Sequence, residues 1–324
     1  MTKKQTATPA AAKQTTKKEP STPTIDQVIQ DQLAQDPTLE LTLSWSQVKP
    51  VYDKFLRQVA KNLKPDGFRP GKIPLSVAEE RVNREALTQE VVRQLAPAVF
   101  ADSLKKSQLT AFAEPELVIT KADKGSDWLI TAYLPQKTTI DLPDYKKFIR
   151  THKKQARQQL EAVQKQDKKN SSTDSKPLTD KQLQAKATDQ ALMELLGELK
   201  PKVSTVLVRR SVSRELDKLH QQLAQANLSF SDYLRQTGMT EQVLVQQLML
   251  SCLQNLQLEF ILDALLTAEK ITATDADIAA KLTELMPDVT DEAEKKRQLD
   301  EPTVRDYLDL MAKRQKLAHW LLKL

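Results

Sequence analysis

The sequence predicts a mostly helical protein in two parts, a small α+β domain near the amino terminus and an all-helical domain behind it. Three observations lead there. The 324 residues contain only five glycines, too few for the many tight turns of an all-β chain. Charged residues make up 28% and Gln, Leu and Ala are abundant, a composition that favours helix. Period-two apolar runs occur only before residue 135, whereas later apolar residues recur at helical spacing. The length suits two domains with linkers, because a single core rarely grows past about 250 residues.

Residues 1–24 are Thr, Lys, Ala, Pro and Gln with almost nothing apolar, and are expected to be a disordered basic tail. A short helix is expected within 25–37, from Ile25, Val28, Ile29 and Leu33. Leu39 to Trp45 alternates as a strand does. Val48, Val51, Tyr52, Phe55, Leu56, Val59 and Leu63 then switch to a helical stripe, which Pro65 and Gly67 end. Ser76 and Glu79 have the spacing of a capping box for the next helix. A third helix over about 88–106 turns Val91, Val92, Leu95, Val99 and Leu104 inward, and Pro97 should kink or divide it. The β-branched runs 116–121 and 127–134 flank Asp123-Lys124-Gly125 and read as a hairpin. Residues 38–143 thus form the α+β domain.

Residues 144–165 are helical and basic, and 166–176 read as a polar linker. From Thr179 onward the pattern is helical to the end. One helix over 203–226 carries Val208, Val212, Leu216, Leu219 and Leu223. Gly238 supplies a stop and Thr240 the next cap. The helix over 240–268 is apolar nearly all round (Leu244, Leu248, Leu253, Leu256, Phe260, Ile261, Leu265) and belongs at the centre of its domain. Thr274 with Asp277 caps another helix, and Pro302 suits the first turn of the last one, with Val304, Leu308, Met311, Leu317 and Trp320.

The net charge of +6 is unevenly placed. Residues 1–24 carry +4, 46–74 carry +5 and 150–169 carry +5, so the remainder sums to −8. Basic stretches beside an acidic remainder favour an anionic partner such as RNA over plain solvated faces. The single cysteine, Cys252, lies in an apolar run and reads as a buried thiol. No run reaches about 18 uninterrupted apolar residues, and the lysine-bearing start has no apolar core of a signal peptide, so a cytoplasmic protein without a membrane partner is expected. His152, His220 and His319 are scattered, nothing has metal-ligand spacing, and no phosphate loop or nucleophile elbow is present. No catalytic residue, metal or cofactor is therefore assigned.

The unusual feature is Pro65-Asp66-Gly67-Phe68-Arg69-Pro70-Gly71-Lys72-Ile73-Pro74, a loop stiffened by three prolines with two glycines. Phe68 fits neither flanking stripe. It can fold back as a cap on the small core, or be presented outward with Arg69 and Lys72 to stack, bind phosphate and fill a pocket on a protein partner. Gly-Phe-Arg-Pro-Gly-Lys-Ile-Pro resembles the ribosome-binding signature of the trigger factor family, Gly-Phe-Arg-x-Gly-Lys-x-Pro. The resemblance assigns ribosome docking, by contact with protein and RNA near the exit tunnel, to Gly67, Phe68, Arg69, Gly71, Lys72 and Pro74. More weakly, residues 201–237, Gly238-Met239-Thr240-Glu241 and Ile271 to Ile278 resemble the carboxy-terminal helices of that family.

The resemblance implies an α+β ribosome-binding domain at 38–143 and an elongated all-α, SurA-like substrate-binding domain at 179–324. It implies an ATP-independent chaperone that holds nascent or unfolded polypeptides, with Met239, Met249, Met286 and Met311 as candidates for adaptable contact. A weak homodimer is a further expected partner state. The alternative is a ribosome-bound assembly or RNA-associated factor that uses the same loop without holding clients. Two departures from the family pattern stand out. The lysine-rich residues 1–24, with the helix expected at 25–36, precede its start, and at 144–178 a basic helix and polar linker replace the usual FKBP-type prolyl isomerase domain, so no enzyme activity is expected.

Overall fold

The structure is a computed structural model describing residues 25–62, 75–169, 178–288 and 291–324. The first helix, α1 (Ile25–Asp31), leads through the two-residue strand β1 (Leu33–Ala34) into β2 (Thr38–Leu43). Helices α2 (Trp45–Asn62), α3 (Leu75–Arg81) and α4 (Arg84–Ser107) follow, then the hairpin β3 (Glu116–Lys121) and β4 (Trp128–Tyr133). The three longer strands make one antiparallel sheet in the order β2–β4–β3, with Leu43 opposite Trp128 and Thr38 opposite Tyr133. Gly125, at φ +86°, takes the left-handed position of the hairpin turn. One sheet face, carrying Leu41, Leu43, Trp128, Ile130 and Ala132, is buried against Val48, Tyr52 and Leu56 of α2 and Leu87, Val91 and Ala96 of α4. This is the expected α+β layer.

Three local expectations change. Trp45 opens α2 instead of ending the strand, because its N–H is taken by Asp127 Oδ1 at 2.8 Å. Ser76 does not open the helix, since α3 already includes Leu75, and its expected capping partner is engaged elsewhere, the Glu79 carboxylate accepting from Tyr52 and Lys124. Helix α4 starts at Arg84, capped by Asn83 Oδ1 from Ala86 N–H at 3.1 Å, and runs undivided through Pro97. Pro97 is on the exposed side while Val91, Val92 and Ala96 stay buried, so packing of one apolar face outweighs the single lost backbone bond.

The remaining helices are α5 (Tyr145–Lys169), α6 (Asp180–Leu199), α7 (Thr205–Gln225), α8 (Phe230–Thr237), α9 (Glu241–Ala268), α10 (Asp275–Leu285), α11 (Glu292–Asp300) and α12 (Pro302–Lys323). Strand β5 (Val203–Ser204) precedes α7 and shortens the helix expected there. Thr179, Thr240 and Thr274 cap their helices by accepting from the third backbone N–H, and Gly238 ends α8 at φ +66°. Helix α9 is central, as its apolar girth predicts: α1, α6, α7, α12 and β5 pack against it. Its composition alone would suit a membrane span, but Leu253, Phe260, Ile261 and Leu265 are buried by those neighbours.

Helix α5 runs to Lys169, beyond the expected start of the linker, and packs along α6. Ile149 of α5 is fully buried with Leu195, Ile261 and Leu317, and Lys153 Nζ donates to the carbonyls of Leu321 and Leu322 at the end of α12. α10, α11 and α12 form a smaller core around Ile278, Leu282 and Leu308. The fold class is the expected one, an α+β domain followed by an elongated all-helical domain. Less expected is the start of the chain. β1 pairs in parallel with β5, Leu33 opposite Val203, and Ile29 of α1 joins the apolar cluster of Val203, Val208, Cys252 and Leu253.

Candidate functional site

The docking loop, with Gly67, Phe68, Arg69, Gly71, Lys72 and Pro74, lies outside the described residues. The scaffold that holds its two ends is described. α2 delivers the chain to the loop at Asn62, α3 receives it from Leu75, and the two helices pack together. Buried Tyr52 of α2 donates to Glu79 Oε1 of α3 at 2.9 Å, and Lys124 of the hairpin donates to Glu79 Oε2 at 2.6 Å. One carboxylate thus ties α2, α3 and the hairpin together. The Lys124 ammonium holds the Glu79 carboxyl below the usual carboxylate range, against its partial desolvation and with help from the Tyr52 hydroxyl. Burial, reinforced by the Glu79 hydrogen bond, pushes the Tyr52 phenol up to about 12.

The fold also sorts the basic residues that charge counting only totals. Lys54, Arg57 and Lys61 are all exposed on α2, and at 100° per residue they share one face leading to the loop. Composition signalled the charge of this stretch, but only helix phase shows that three of its groups form a stripe. The second basic stretch behaves differently. On α5, Lys153 is used to cap α12, and Arg157 pairs with Glu161 at 2.9 Å and with Asp180. Burial lowers the Lys153 pKa, with Arg157 adding to the effect. Part of the charge counted at 150–169 is therefore structural. The basic tail, 1–24, lies outside the described residues.

Met239, Met249, Met286 and Met311 are all half-buried, and Met249 and Met286 pack against apolar clusters. Among the described methionines the exposed one is Met193 on α6, which the sequence pattern did not single out. Other exposed apolar side chains of the helical domain, Val163, Val243, Leu285 and Tyr307, fall on separate helices. Cys252 is buried, as expected. The ring of His152 stacks on Phe148 and its Nδ1 lies 2.9 Å from the Phe148 carbonyl, while His220 packs on Phe230. Among the described residues no group of three or more His, Cys, Asp or Glu is placed to hold a metal. A groove between α4 and β3, lined by Arg84, Glu85, Thr88, Val92, Leu117 and Ile119, brings together no nucleophile with a base.

Comparison with known proteins follows the same division of the chain. The family profile described as bacterial trigger factor protein matches residues 27–169, and that described as its C-terminus matches 159–323. The two matches overlap on α5, so no residues separate them. Trigger factors of Streptococcus pneumoniae strains JJA and Hungary19A-6 are each 35% identical over 108 residues, covering 33% of this chain and 25% of the relative. The matched stretch thus spans about a quarter of those relatives. A solved chain from work on promiscuous substrate recognition in folding and assembly activities of the trigger factor chaperone covers 90% of this chain and 98% of its own length. It is 13% identical, with a TM-score of 0.45. With the carboxy-terminal profile alone spanning half of its residues and the amino-terminal profile accounting for most of the rest, the chain belongs to the trigger factor family.

Proposed function

We propose that this protein is a cytoplasmic, ribosome-associated chaperone that holds nascent or unfolded polypeptides without ATP and without prolyl isomerase chemistry. The observation that carries the reading is the direct abutment of the two family matches, an amino-terminal part joined through α5 to the carboxy-terminal helices. In this reading Phe68, Arg69 and Lys72 make the docking contacts, Gly67, Gly71 and Pro74 shape the loop, and Lys54, Arg57 and Lys61 extend its positive field over ribosomal RNA. Clients are bound by the helical domain, and release is set by affinity alone, since the sequence carries no nucleotide-binding loop.

Co-sedimentation with ribosomes tests the docking half. Replacing Phe68 and Arg69 by Ala should release the protein while leaving its circular dichroism unchanged. Replacing Lys54, Arg57 and Lys61 by Gln should weaken binding and flatten its dependence on the logarithm of salt concentration by roughly two to three units, from the release of about one counterion per contact. Wild-type co-sedimentation by the double Ala variant would remove the loop assignment. Suppression of aggregation of an unfolded protein tests the holding half and separates a chaperone from an assembly factor that only docks.

A further inference from the structure

Residues 25–34 precede the docking domain in sequence yet pack on the helical one. We propose that α1 and β1 form a detachable strap that covers an apolar groove of α7, α9 and β5, and that an apolar segment of an unfolded client replaces it there. This rests on the chaperone reading above and adds a site and an internal competitor to it. The exposed large apolar residues described in the helical domain, Val163, Met193, Val243, Leu285 and Tyr307, fall on five different helices and no one helix presents a row of them, so an apolar surface under a cover is the candidate for client contact. The strap is such a cover. Ile29 is 2% exposed, in one cluster with Val203, Val208, Val212, Cys252 and Leu253, and Leu33 packs at its margin.

Two polar contacts of the strap are made by its backbone and are open to any extended chain. The backbone carbonyl of Gln32 accepts from Val203 N–H at 3.0 Å, and that of Ala34 accepts from the Thr205 hydroxyl at 3.1 Å. β1 adds to β5 as a strand, a mode of recognition that reads backbone more than side chain. Gln257 is fully buried on α9 among apolar side chains such as Leu253 and Phe260, and its amide donates to Gln32 Oε1 at 2.9 Å and to the Pro201 carbonyl at 2.8 Å. When Gln32 leaves, that donor needs a replacement acceptor, which a client carbonyl supplies. One aliphatic anchor with backbone acceptors beside it defines the occupant: an aliphatic segment of about the length of the strap, without demand for a particular sequence.

The strap is also built to open. A seven-residue helix is too short to be stable alone, its ladder to β5 has two residue pairs, and the bonds from Gln246 to Asp26 at 2.9 and 3.2 Å are exposed. Short, solvent-edged attachments of this kind open at lower cost than a domain core.

The chain contains its own reporter, because its single cysteine, Cys252, is 3% exposed within the covered cluster. In the full-length protein, Ile29→Asp should speed labelling of Cys252 by a thiol reagent roughly tenfold by easing local opening. It should also suppress client aggregation at a lower chaperone ratio. A fluorescent peptide with the sequence of residues 25–34 should bind the I29D protein and be displaced by an unfolded client. The opposite perturbation uses Asp26→Cys and Gln246→Cys with Cys252→Ser, joined by a reducible thiol-specific bridging reagent. Bridging should diminish aggregation suppression, and reduction should restore it. Full client holding by the bridged protein, or faster Cys252 labelling in I29D with neither peptide binding nor a gain in holding, would overturn the proposal. Failure of every form, wild type included, to slow aggregation would instead refute the chaperone reading, and with it the client as occupant.

Discussion

Glu79 shows how one side chain can hold together elements that are distant in sequence. It accepts from Tyr52 on α2 and from Lys124 on the hairpin, so α3 cannot shift without breaking both bonds. Tyr52 is buried, and leaving its hydroxyl without an acceptor costs about 1–2 kcal/mol; the half-exposed Lys124 contact adds little to that. Glu79→Ala should therefore lower the stability of the protein by that amount in urea denaturation, and Glu79→Gln, which can still accept, should lose less than about 1 kcal/mol. The pH dependence has a definite sign. The folded-state pKa of Glu79 is depressed, so its contribution is present above the ordinary value of about 4.3 and is lost as pH falls from there towards the depressed value. The Tyr52 pKa is raised to about 12, so its contribution is complete below about 10 and is lost as pH rises from there towards 12. The Gln variant should show a weaker acid-side slope than wild type. Sequence spacing pointed to Glu79 for a different task, the capping box, because it counts neighbours along the chain and cannot register Tyr52, 27 residues earlier, or Lys124, 45 later.

At the scale of the element, helices whose ends are written in local chemistry were legible. Thr240, Thr274 and Gly238 cap or stop their helices where composition placed them, and Thr179, where the helical pattern was expected to begin, caps α6. The hairpin was legible for the same reason, since alternation and a Gly125 turn are properties of adjacent residues. The destinations of α1 and α5 were not, because a short or basic amphipathic stretch carries no statement of which core receives it. The docking loop stood out by composition, whereas the stripe of Lys54, Arg57 and Lys61 became visible only with the phase of α2. The burial of Ile149 among Leu195, Ile261 and Leu317 makes α5 part of the helical core. A fragment beginning at residue 178 lacks that helix and leaves its groove on α6 open, together with the α12 carbonyls that Lys153 covers. Compared with a fragment beginning at residue 139, it should melt lower, with a stability deficit of about 2–5 kcal/mol from loss of Ile149 and its neighbours. Differential scanning calorimetry of the two fragments measures the difference; equal melting temperatures would show α5 to be dispensable.

For the whole molecule, the proposed function predicts holding of clients without isomerisation. Between Tyr145 and Lys200 the chain has one glycine, Gly197, and one aromatic after Tyr145, Phe148, apart from His152. The two described helices of this region, α5 and α6, face each other, and Phe148 is engaged by the His152 ring. A protease-coupled assay on a short Xaa-Pro peptide should therefore give the uncatalysed rate, with relaxation over roughly tens of seconds or longer at room temperature. A rate rising linearly with protein concentration would contradict it. The pairing of α5 with α6 also bears on how such a protein can change over evolutionary time or be re-engineered. The end of α5 and the start of α6 are held near one another, with Gln164 Nε2 donating to the Leu178 carbonyl at 3.3 Å. An autonomous folding unit whose own termini are adjacent could enter or leave between them without moving either helix. The helical hairpin is in this sense a socket, where a catalytic module can be gained or shed while the amino-terminal and carboxy-terminal parts remain joined.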